Sequence, residues 1–289
     1  VVPNAPGGAA DSLARGIAEE WGKRLKQTVV VENASGASGA IAAQKVARAT
    51  PDGYTLLFAT TTELIVTPIA NKAAGYGVAQ FRPIAKVGVT PMVLVARPGL
   101  GVQNVDQLVA LAKQKPNGLS VGTTGTASLQ AFATVALQRA AGIDLLGVPY
   151  KGGAQIVTDL LGGQLDLGVM TLPGALTHVR AGKLVMLGLL SANRATSAPE
   201  MPTVNESRSV QGVEVEIWAG VAGPANLPAA VVERLNRSLQ EVVTDRDFIE
   251  RRAKMGDMAV PAASAAEFAR FLAAEDERYR ALASGLKLE

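Results

Sequence analysis

A glycine-rich stretch near the start of the chain has the composition of an anion-binding loop. Pro3 and Pro6 interrupt an apolar beginning, Gly7 and Gly8 follow, and an apolar stripe of period four starts at Leu13. This order predicts the end of a strand, a tight loop and a helix. Backbone N–H groups at a helix N-terminus attract an anion, and glycine lets a ligand approach them closely. The spacing fits neither G-x-G-x-x-G nor a P-loop, and an ordinary βα turn stays open.

Hydroxyl side chains follow two further predicted strands. Thr60, Thr61 and Thr62 come directly after a buried strand at 54–59. A loop of glycine and hydroxyl residues at 123–128 lies between a strand and a helix, which repeats the design of the opening loop. Ligands of open α/β sheets bind outside the carboxyl ends of the strands. These hydroxyls are therefore candidates for one site with the glycine loop, although local turn hydrogen bonds would also explain them.

Several single side chains have two interpretations. Tyr150 and Lys151 either offer a phenol and a cation to the site or lie on a solvated loop. Asp11 either caps the first helix or contacts a ligand, and contact would favour a ligand ammonium because an anion would be repelled. His178 is expected at the surface, and Trp218 is expected in packing rather than as a stacking platform.

The composition excludes several classes of protein. The 289 residues have 48% hydrophobic content, no Cys, one His and a net charge of +3. Disulfides, iron–sulfur clusters and thiol catalysis are excluded, and a multi-histidine metal site is excluded as well. Scattered Lys and Arg residues do not indicate a nucleic-acid surface. We expect no cofactor and no metal, and no apolar run is long enough for a membrane span.

The run of β-branched residues at 28–33 predicts a strand. Strands alternate with helices along the chain, which predicts an α/β fold of two domains, each a mostly parallel sheet flanked by helices. Two long strands, near residues 94 and 218, are expected to be crossovers between the domains. The predicted domain 1 comprises 1–93 and 220–289, and domain 2 comprises 94–219. No signal peptide is visible, and since the chain begins within a strand we expect that an N-terminal piece has been removed or left out.

A set of short motifs, in order over nearly the whole chain, resembles the Bug family, the periplasmic substrate-binding receptors of tripartite tricarboxylate transporters. The motifs are Pro6-Gly7-Gly8-Ala9-Ala10-Asp11 with Ala14-Arg15, Val31-Glu32-Asn33, Gly36-Ala37-Ser38-Gly39, Pro51-Asp52-Gly53-Tyr54-Thr55-Leu56-Leu57, Val148-Pro149-Tyr150-Lys151-Gly152, Leu160-Leu161-Gly162-Gly163-Gln164-Leu165-Asp166, Pro202-Thr203-Val204 with Glu206, and Trp218-Ala219-Gly220. Each motif is weak by itself, but their order makes the set specific. The departure from the family pattern is that the first half of the first strand is missing.

The resemblance implies a type II periplasmic-binding-protein fold, a Venus flytrap that closes on a small carboxylate. It implies that backbone N–H groups, hydroxyls and waters hold the carboxylates, rather than an arginine clamp. On this analogy the ligand-binding residues are Ala5, Pro6, Gly7, Gly8, Ala9, Asp11, Thr60, Thr61, Thr62, Thr123, Thr124, Gly125, Thr126, Ser128, Tyr150, Lys151 and Thr171.

The function that follows is capture of a mono- or dicarboxylate, an aromatic acid or an acidic amino acid in the periplasm. The expected partners are the membrane subunits of the transporter and no nucleic acid, and the receptor is expected to be a monomer. An alternative is a sensor that presents the bound carboxylate to a membrane histidine kinase. The effector domain of a transcription regulator is a further alternative. An enzyme is disfavoured because no nucleophile, base and orienting group are recognisable together.

Overall fold

The computed structural model describes residues 1–7, 9–125, 128–150 and 152–286, and the chain divides into two compact units. Unit 1 comprises residues 1–89 and 217–281. Unit 2 comprises residues 90–216 and 282–286 of the described chain. The chain therefore leaves unit 1 once and returns to it once before the last helix ends.

Helices and strands alternate through both units. The α-helices of the described residues are α1 (Ala9–Leu25), α2 (Ala40–Ala47), α3 (Thr67–Ala70), α4 (Val105–Gln114), α5 (Leu129–Ala141), α6 (Gly153–Leu161), α7 (Leu172–Arg180), α8 (Ala229–Val243), α9 (Arg246–Lys254) and α10 (Ala265–Ala283). The strands are β1 (Leu57–Thr60), β2 (Phe81–Ala96), β3 (Ser120–Thr123), β4 (Leu146–Pro149), β5 (Leu167–Thr171), β6 (Val185–Leu189) and β7 (Glu216–Pro224). Short 3₁₀ turns span Ala37–Gly39, Lys72–Ala74, Val78–Gln80 and Val204–Glu206, and a π-helix spans Thr62–Val66.

The first helix follows the predicted apolar stripe. Leu13, Ile17 and Trp21 are buried along one face of α1, as the period of four requires. This face packs against α8, and the Trp21 Nε1–H donates a hydrogen bond to Ser238 Oγ at 2.7 Å. The helix that begins at the glycine loop is thus held in unit 1 by a long-range contact with the second half of the chain.

The sheet of unit 1 forms around β1 and β7, which pair antiparallel with Leu57 opposite Ala222. Val2 makes a parallel bridge with Asn33, and the amino group of Val1 donates to the Leu56 carbonyl at 2.7 Å. The predicted strand at 28–33 is wrong, because within the described residues only Asn33 of this stretch makes a bridge. β-branched residues favour a strand only where a neighbouring backbone completes the ladder.

Unit 2 contains a mixed sheet. β3 pairs parallel with β4 and with β5, whereas β2 pairs antiparallel with β5 and with β6. The expectation of a mostly parallel sheet is therefore corrected to a mixed one. The reason is that β2 enters unit 2 as a crossover strand rather than through a βαβ connection, so its direction is not tied to that of its neighbours.

The boundaries of the units lie within the two longest strands. The division falls between Val89 and Thr90 in β2 and between Glu216 and Ile217 in β7, a few residues before each predicted boundary. The end of the chain was predicted in domain 1, whereas residues 282–286 group with unit 2. The Arg139 Nη2–H of α5 donates to Ser284 Oγ at 2.8 Å, which joins this end to unit 2.

Close packing around Trp218 fixes β7 in unit 1. Trp218 is 1% exposed, and its Nε1–H donates to Glu275 Oε2 at 3.0 Å. Phe268 and Phe271 pack edge-on to its ring at centroid distances of 5.9 and 5.7 Å, a favoured aromatic geometry. Two residues further along β7, a Cβ on Gly220 would lie 2.4 Å from Phe268 Cζ. Trp218 is therefore a packing residue, and Gly220 leaves room for the aromatic cluster.

We predict that Gly220→Ala destabilises unit 1 through this steric clash. The added methyl group must displace a buried ring, and such overpacking costs about 1–3 kcal/mol in the free energy of unfolding. Gly77→Ala is the matched control in the same unit, because its Cβ would have no atom within 4 Å and its φ of −151° suits any residue. Urea unfolding of both variants checks this. Equal stability of the two variants would contradict the packing account.

Candidate functional site

The loop that precedes α1 exposes backbone at a helix N-terminus. Ala5, Pro6 and Gly7 are exposed. Gly7 has a φ of +87°, and no atom lies within 4 Å of the position that a Cβ would take. This left-handed conformation strongly favours glycine. The open space beside Gly7 is what a loop needs if a ligand is to approach its backbone.

Asp11 lies in the first turn of α1 and is 2% exposed. Its Oδ2 accepts hydrogen bonds from Arg15 Nε and from the Gly7 N–H, both at 2.9 Å, and its Oδ1 accepts one from Asn33 Nδ2 at 2.8 Å. The hydrogen bond from Arg15, with those from Asn33 and Gly7, holds the pKa of Asp11 well below its usual range. The carboxylate is thus engaged within unit 1.

Asn33 is a polar residue of this network that was not among the predicted site residues. Its Nδ2 also donates to the Asn4 carbonyl at 2.9 Å, and its Oδ1 accepts from Arg15 Nη2 at 2.9 Å. The sequence did contain a signal, because Arg15 and Asn33 both belong to the motifs that accompany the glycine loop. A side chain 22 residues from Asp11 can be assigned to this network only once the fold is known.

The three threonines after β1 differ in their exposure. The Thr60 hydroxyl, 8% exposed, donates to Glu63 Oε2 at 2.7 Å. Thr61 is fully buried, and its Oγ1 accepts the Trp218 N–H at 3.0 Å. Thr62 is half-buried. Because a carboxylate ligand needs a donor, the half-buried Thr62 is the best placed of the three to contact one.

Glu63 is a buried carboxylate that was not predicted. It is 3% exposed, and its Oε2 also accepts the Thr60 N–H at 2.8 Å. Burial raises the pKa of Glu63, and the hydrogen bonds from Thr60 oppose this shift only in part. The Thr-x-x-Glu spacing is that of a capping box, which was the available signal. Glu63 fixes the end of β1 and the start of the π-helix.

In unit 2, the hydroxyls of the second loop organise its backbone. Ser128 caps α5 by accepting the Ala131 N–H at 3.3 Å. The hydroxyls of Ser128 and Thr123 both donate to the Gly125 carbonyl, at 2.9 and 3.1 Å. The Thr124 hydroxyl donates to Gln130 Oε1 at 2.9 Å. These side chains make local turn contacts, so any anion contact here would come from exposed backbone N–H groups.

Two more predicted residues lie at the same edge of the unit 2 sheet. The Tyr150 N–H donates to the Thr123 carbonyl at 2.8 Å, and its hydroxyl donates to Asp159 Oδ2 at 2.8 Å. Thr171 ends β5 and precedes α7, and within the described residues its hydroxyl has no hydrogen-bond partner. Since β3, β4 and β5 are parallel, their carboxyl ends meet. Thr171 is thus a hydroxyl that can still donate.

Three predicted residues, Gly8, Thr126 and Lys151, lie outside the described residues, and of Ala9 only its place at the start of α1 is described. An apolar cavity of about 780 Å³ in unit 1 is lined by Trp21, Val30 and Tyr54 among others, and by none of the predicted ligand residues. Within the described ranges, no cluster of three His, Asp or Glu residues could hold a metal, and no helix is long and apolar enough to cross a membrane.

A comparison with models of known protein families identifies the family of this chain. The family model described as "Tripartite tricarboxylate transporter family receptor" matches residues 13–288. The chain belongs to this family. The resemblance to the Bug receptors is thereby confirmed, and the chain is a solute-binding receptor rather than an enzyme.

Individual relatives agree over the whole length. The protein BugT of Bordetella pertussis is 31% identical over 294 residues, which cover 100% of this chain and 89% of BugT. The structure titled "R. palustris Rpa4515 with adipate" has 29% identity and a TM-score of 0.81, over 99% of this chain and 96% of that one. MatC from Rhodopseudomonas palustris with bound malate has 26% identity and a TM-score of 0.76, over 97% of each chain. The type II periplasmic-binding-protein fold is confirmed.

We predict that the charge on Glu63 makes the protein less stable as the pH rises. Burial raises the pKa of Glu63 in the folded state above the ordinary 4.5. The favourable contribution of Glu63 to stability is therefore fully present below pH 4.5 and is lost as the pH rises through the folded-state pKa. Glu63→Gln keeps an oxygen acceptor for Thr60 and removes the charge. The stability of this variant relative to the wild type should therefore increase with pH, as measured by urea unfolding at a series of pH values.

Glu267→Gln is the control with the opposite sign. Glu267 accepts the same pair of hydrogen bonds, from the N–H and the hydroxyl of Ser264, both at 2.7 Å, but it is exposed and these bonds lower its pKa. The ionised Glu267 contributes stability to the wild type above pH 4.5, and this contribution is lost as the pH falls. Glu267→Gln lacks it, so this variant should become less stable relative to the wild type as the pH rises. The same pH trend for both variants would refute the opposite directions assigned to the pKa shifts of Glu63 and Glu267.

Proposed function

We propose that this chain captures a small carboxylate and delivers it to the membrane subunits of a tripartite tricarboxylate transporter. The observation that carries the proposal is that two structures similar over 97% or more of this chain hold dicarboxylates, adipate and malate. Membership of the transporter receptor family supports the membrane partner. A periplasmic location accords with the solved structure titled "Structure of periplasmic binding protein BugD", which is 33% identical to this chain.

The ligand contacts that we propose are backbone N–H groups and a few hydroxyls. In unit 1 the proposed donors are the backbone N–H groups at the N-terminus of α1, to which the exposed loop Ala5–Gly7 leads and where the helix dipole favours an anion. The Gly7 N–H is not among them, because it donates to Asp11. In unit 2 the capped N-terminus of α5 and the Thr171 hydroxyl offer donors of the same kind. Arg15 does not act as a carboxylate clamp in this proposal because its guanidinium binds Asp11 and Asn33. The contacts from Gly8, Thr126 and Lys151 remain predictions from the sequence.

We predict binding of a dicarboxylate without chemical conversion. Adipate and malate are the first probes, and 1,6-hexanediol is the control that keeps the length of adipate without its charges. A ligand that binds only the folded state stabilises it by about 2.7 kcal/mol at a hundredfold excess over Kd. The melting temperature should therefore rise with at least one dicarboxylate and not with the diol. Conversion of the bound acid, followed by NMR, would refute a receptor, and no stabilisation by any mono-, di- or aromatic carboxylate would refute the ligand class.

We predict that Gly7→Ala weakens dicarboxylate binding more than it weakens the fold. A side chain at a φ of +87° costs about 1–2 kcal/mol, and the methyl group would stand where the ligand approaches the loop. Gly101→Ala is the matched control, since Gly101 has a φ of +85° and equally open surroundings. Both variants should lose similar stability, but only Gly7→Ala should lose about tenfold in affinity, or 1.4 kcal/mol, by calorimetry. Equal affinities of Gly7→Ala and Gly101→Ala for the dicarboxylate would show that Gly7 is not at the binding site.

A further inference from the structure

The sequence left open whether Asp11 caps its helix or binds a ligand, and the structure favours a third role. We propose that Asp11 is a positioning residue that holds the Ala5–Gly7 loop in its binding shape, and that the ligand consequently carries no ammonium group there. This inference rests on the proposed function, because it concerns the same loop. It separates simple carboxylic acids from acidic amino acids, which share the carboxylate chemistry.

The carboxylate of Asp11 has little capacity for a further partner. Its Oδ2 accepts from the Gly7 N–H and from Arg15 Nε, and its Oδ1 accepts from Asn33 Nδ2. An ionised carboxylate offers about four acceptor positions, and three of them are occupied here. With 2% of the residue exposed, an ammonium group would have to displace one of these donors.

The side chains of Asp11 and Asn33 hydrogen-bond to the backbone of the loop and of the residue before it. The Val2 N–H donates to the Glu32 carbonyl at 2.7 Å, and the Ala34 N–H donates to the Val2 carbonyl at 2.9 Å, which fixes the start of the loop. Asn33 Nδ2 then binds the Asn4 carbonyl, and Asp11 binds the Gly7 N–H. The loop is therefore tied at its start, its middle and its end. A loop held in this way does not have to become ordered when a ligand binds beside it.

The charges in this network also suit an anion rather than a zwitterion. Arg15 neutralises Asp11 within the network, so that the negative charge of Asp11 does not face an incoming carboxylate unopposed. Glu63, the acid that follows the candidate threonines, is 3% exposed and accepts two hydrogen bonds from Thr60. Neither carboxylate is presented to a ligand ammonium.

The ligand arm of the test compares acids that differ at one position. Calorimetry is carried out with adipate against 2-aminoadipate and with malate against aspartate. The acid without the ammonium group should bind at least tenfold more tightly in each pair that binds. Equal or tighter binding of the amino compounds would overturn the proposal.

The variant arm measures the loop without any ligand. Asp11→Asn should accelerate hydrogen exchange of the Gly7 amide at least tenfold, as followed by NMR, and should weaken adipate binding. Asp245→Asn is the matched control: Asp245 caps α9 by accepting the Phe248 N–H at 2.9 Å and pairs with Arg24 at 3.2 Å. This control should leave the exchange of Gly7 and the affinity for adipate unchanged. Unchanged exchange of Gly7 in Asp11→Asn would overturn the positioning role.

A second variant covers the case in which Asp11→Asn does not fold. Asn33→Ala leaves the carboxylate and its charge in place but removes the tie to Asn4, and it should accelerate Gly7 exchange and weaken adipate binding in the same direction. Selective loss of 2-aminoadipate binding in Asp11→Asn, with adipate binding intact, would identify Asp11 as an ammonium ligand and overturn the proposal. If the wild type binds none of the four acids, the proposed function fails, whereas the exchange of Gly7 still decides the role of Asp11.

Discussion

The hydrogen bond from the Gly7 N–H to the buried carboxylate of Asp11 is the constraint on which the shape of the Ala5–Gly7 loop depends. A loop of Pro, Gly and Ala has no side chain that can hold its own backbone, so the contacts that hold it must come from neighbouring elements. α1 supplies Asp11 and Arg15, and the segment that bridges Val2 supplies Asn33. The carboxylate can be buried at little cost in free energy because each of its oxygens accepts a hydrogen bond and a guanidinium balances its charge.

The same principle recurs at the other loops, with different side chains. Glu63 holds the end of β1 through Thr60, and the hydroxyls of Thr123 and Ser128 converge on the Gly125 carbonyl in unit 2. In each case a polar side chain hydrogen-bonds to another group of the protein and so helps to hold the loop in its shape. This means that most substitutions of these polar residues would act on loop shape rather than on a direct ligand contact.

In each unit, a long strand pairs with strands that are distant from it in the sequence. β2 contributes to unit 2 beside β5 and β6, and β7 contributes to unit 1 beside β1. Because β7 also carries Trp218 and Gly220, the aromatic cluster with Phe268 and Phe271 joins the last helix to the first part of the chain. The core of unit 1 is therefore completed only when the C-terminal segment has been added.

The sequence by itself determined the first helix, the glycine loop before it and the family. The stripe of Leu13, Ile17 and Trp21, the glycines of the first loop and the hydroxyl that caps α5 are local patterns, and local sterics and hydrogen bonds decide them. The ordered motifs sufficed to identify the receptor family, and the composition correctly directed attention away from catalysis.

Only the tertiary structure decided which polar groups are buried and what they bind. A run of β-branched residues at 28–33 does not form the predicted strand, because a ladder needs a partner that the local sequence does not specify. Thr60 and Thr61 were predicted as ligand hydroxyls; the structure shows that Thr60 donates to Glu63 and that Thr61 accepts the backbone N–H of Trp218, 157 residues away. The direction of β2 relative to β5 and the link between Asp11 and Asn33 likewise depend on long-range packing, which no window of the sequence contains.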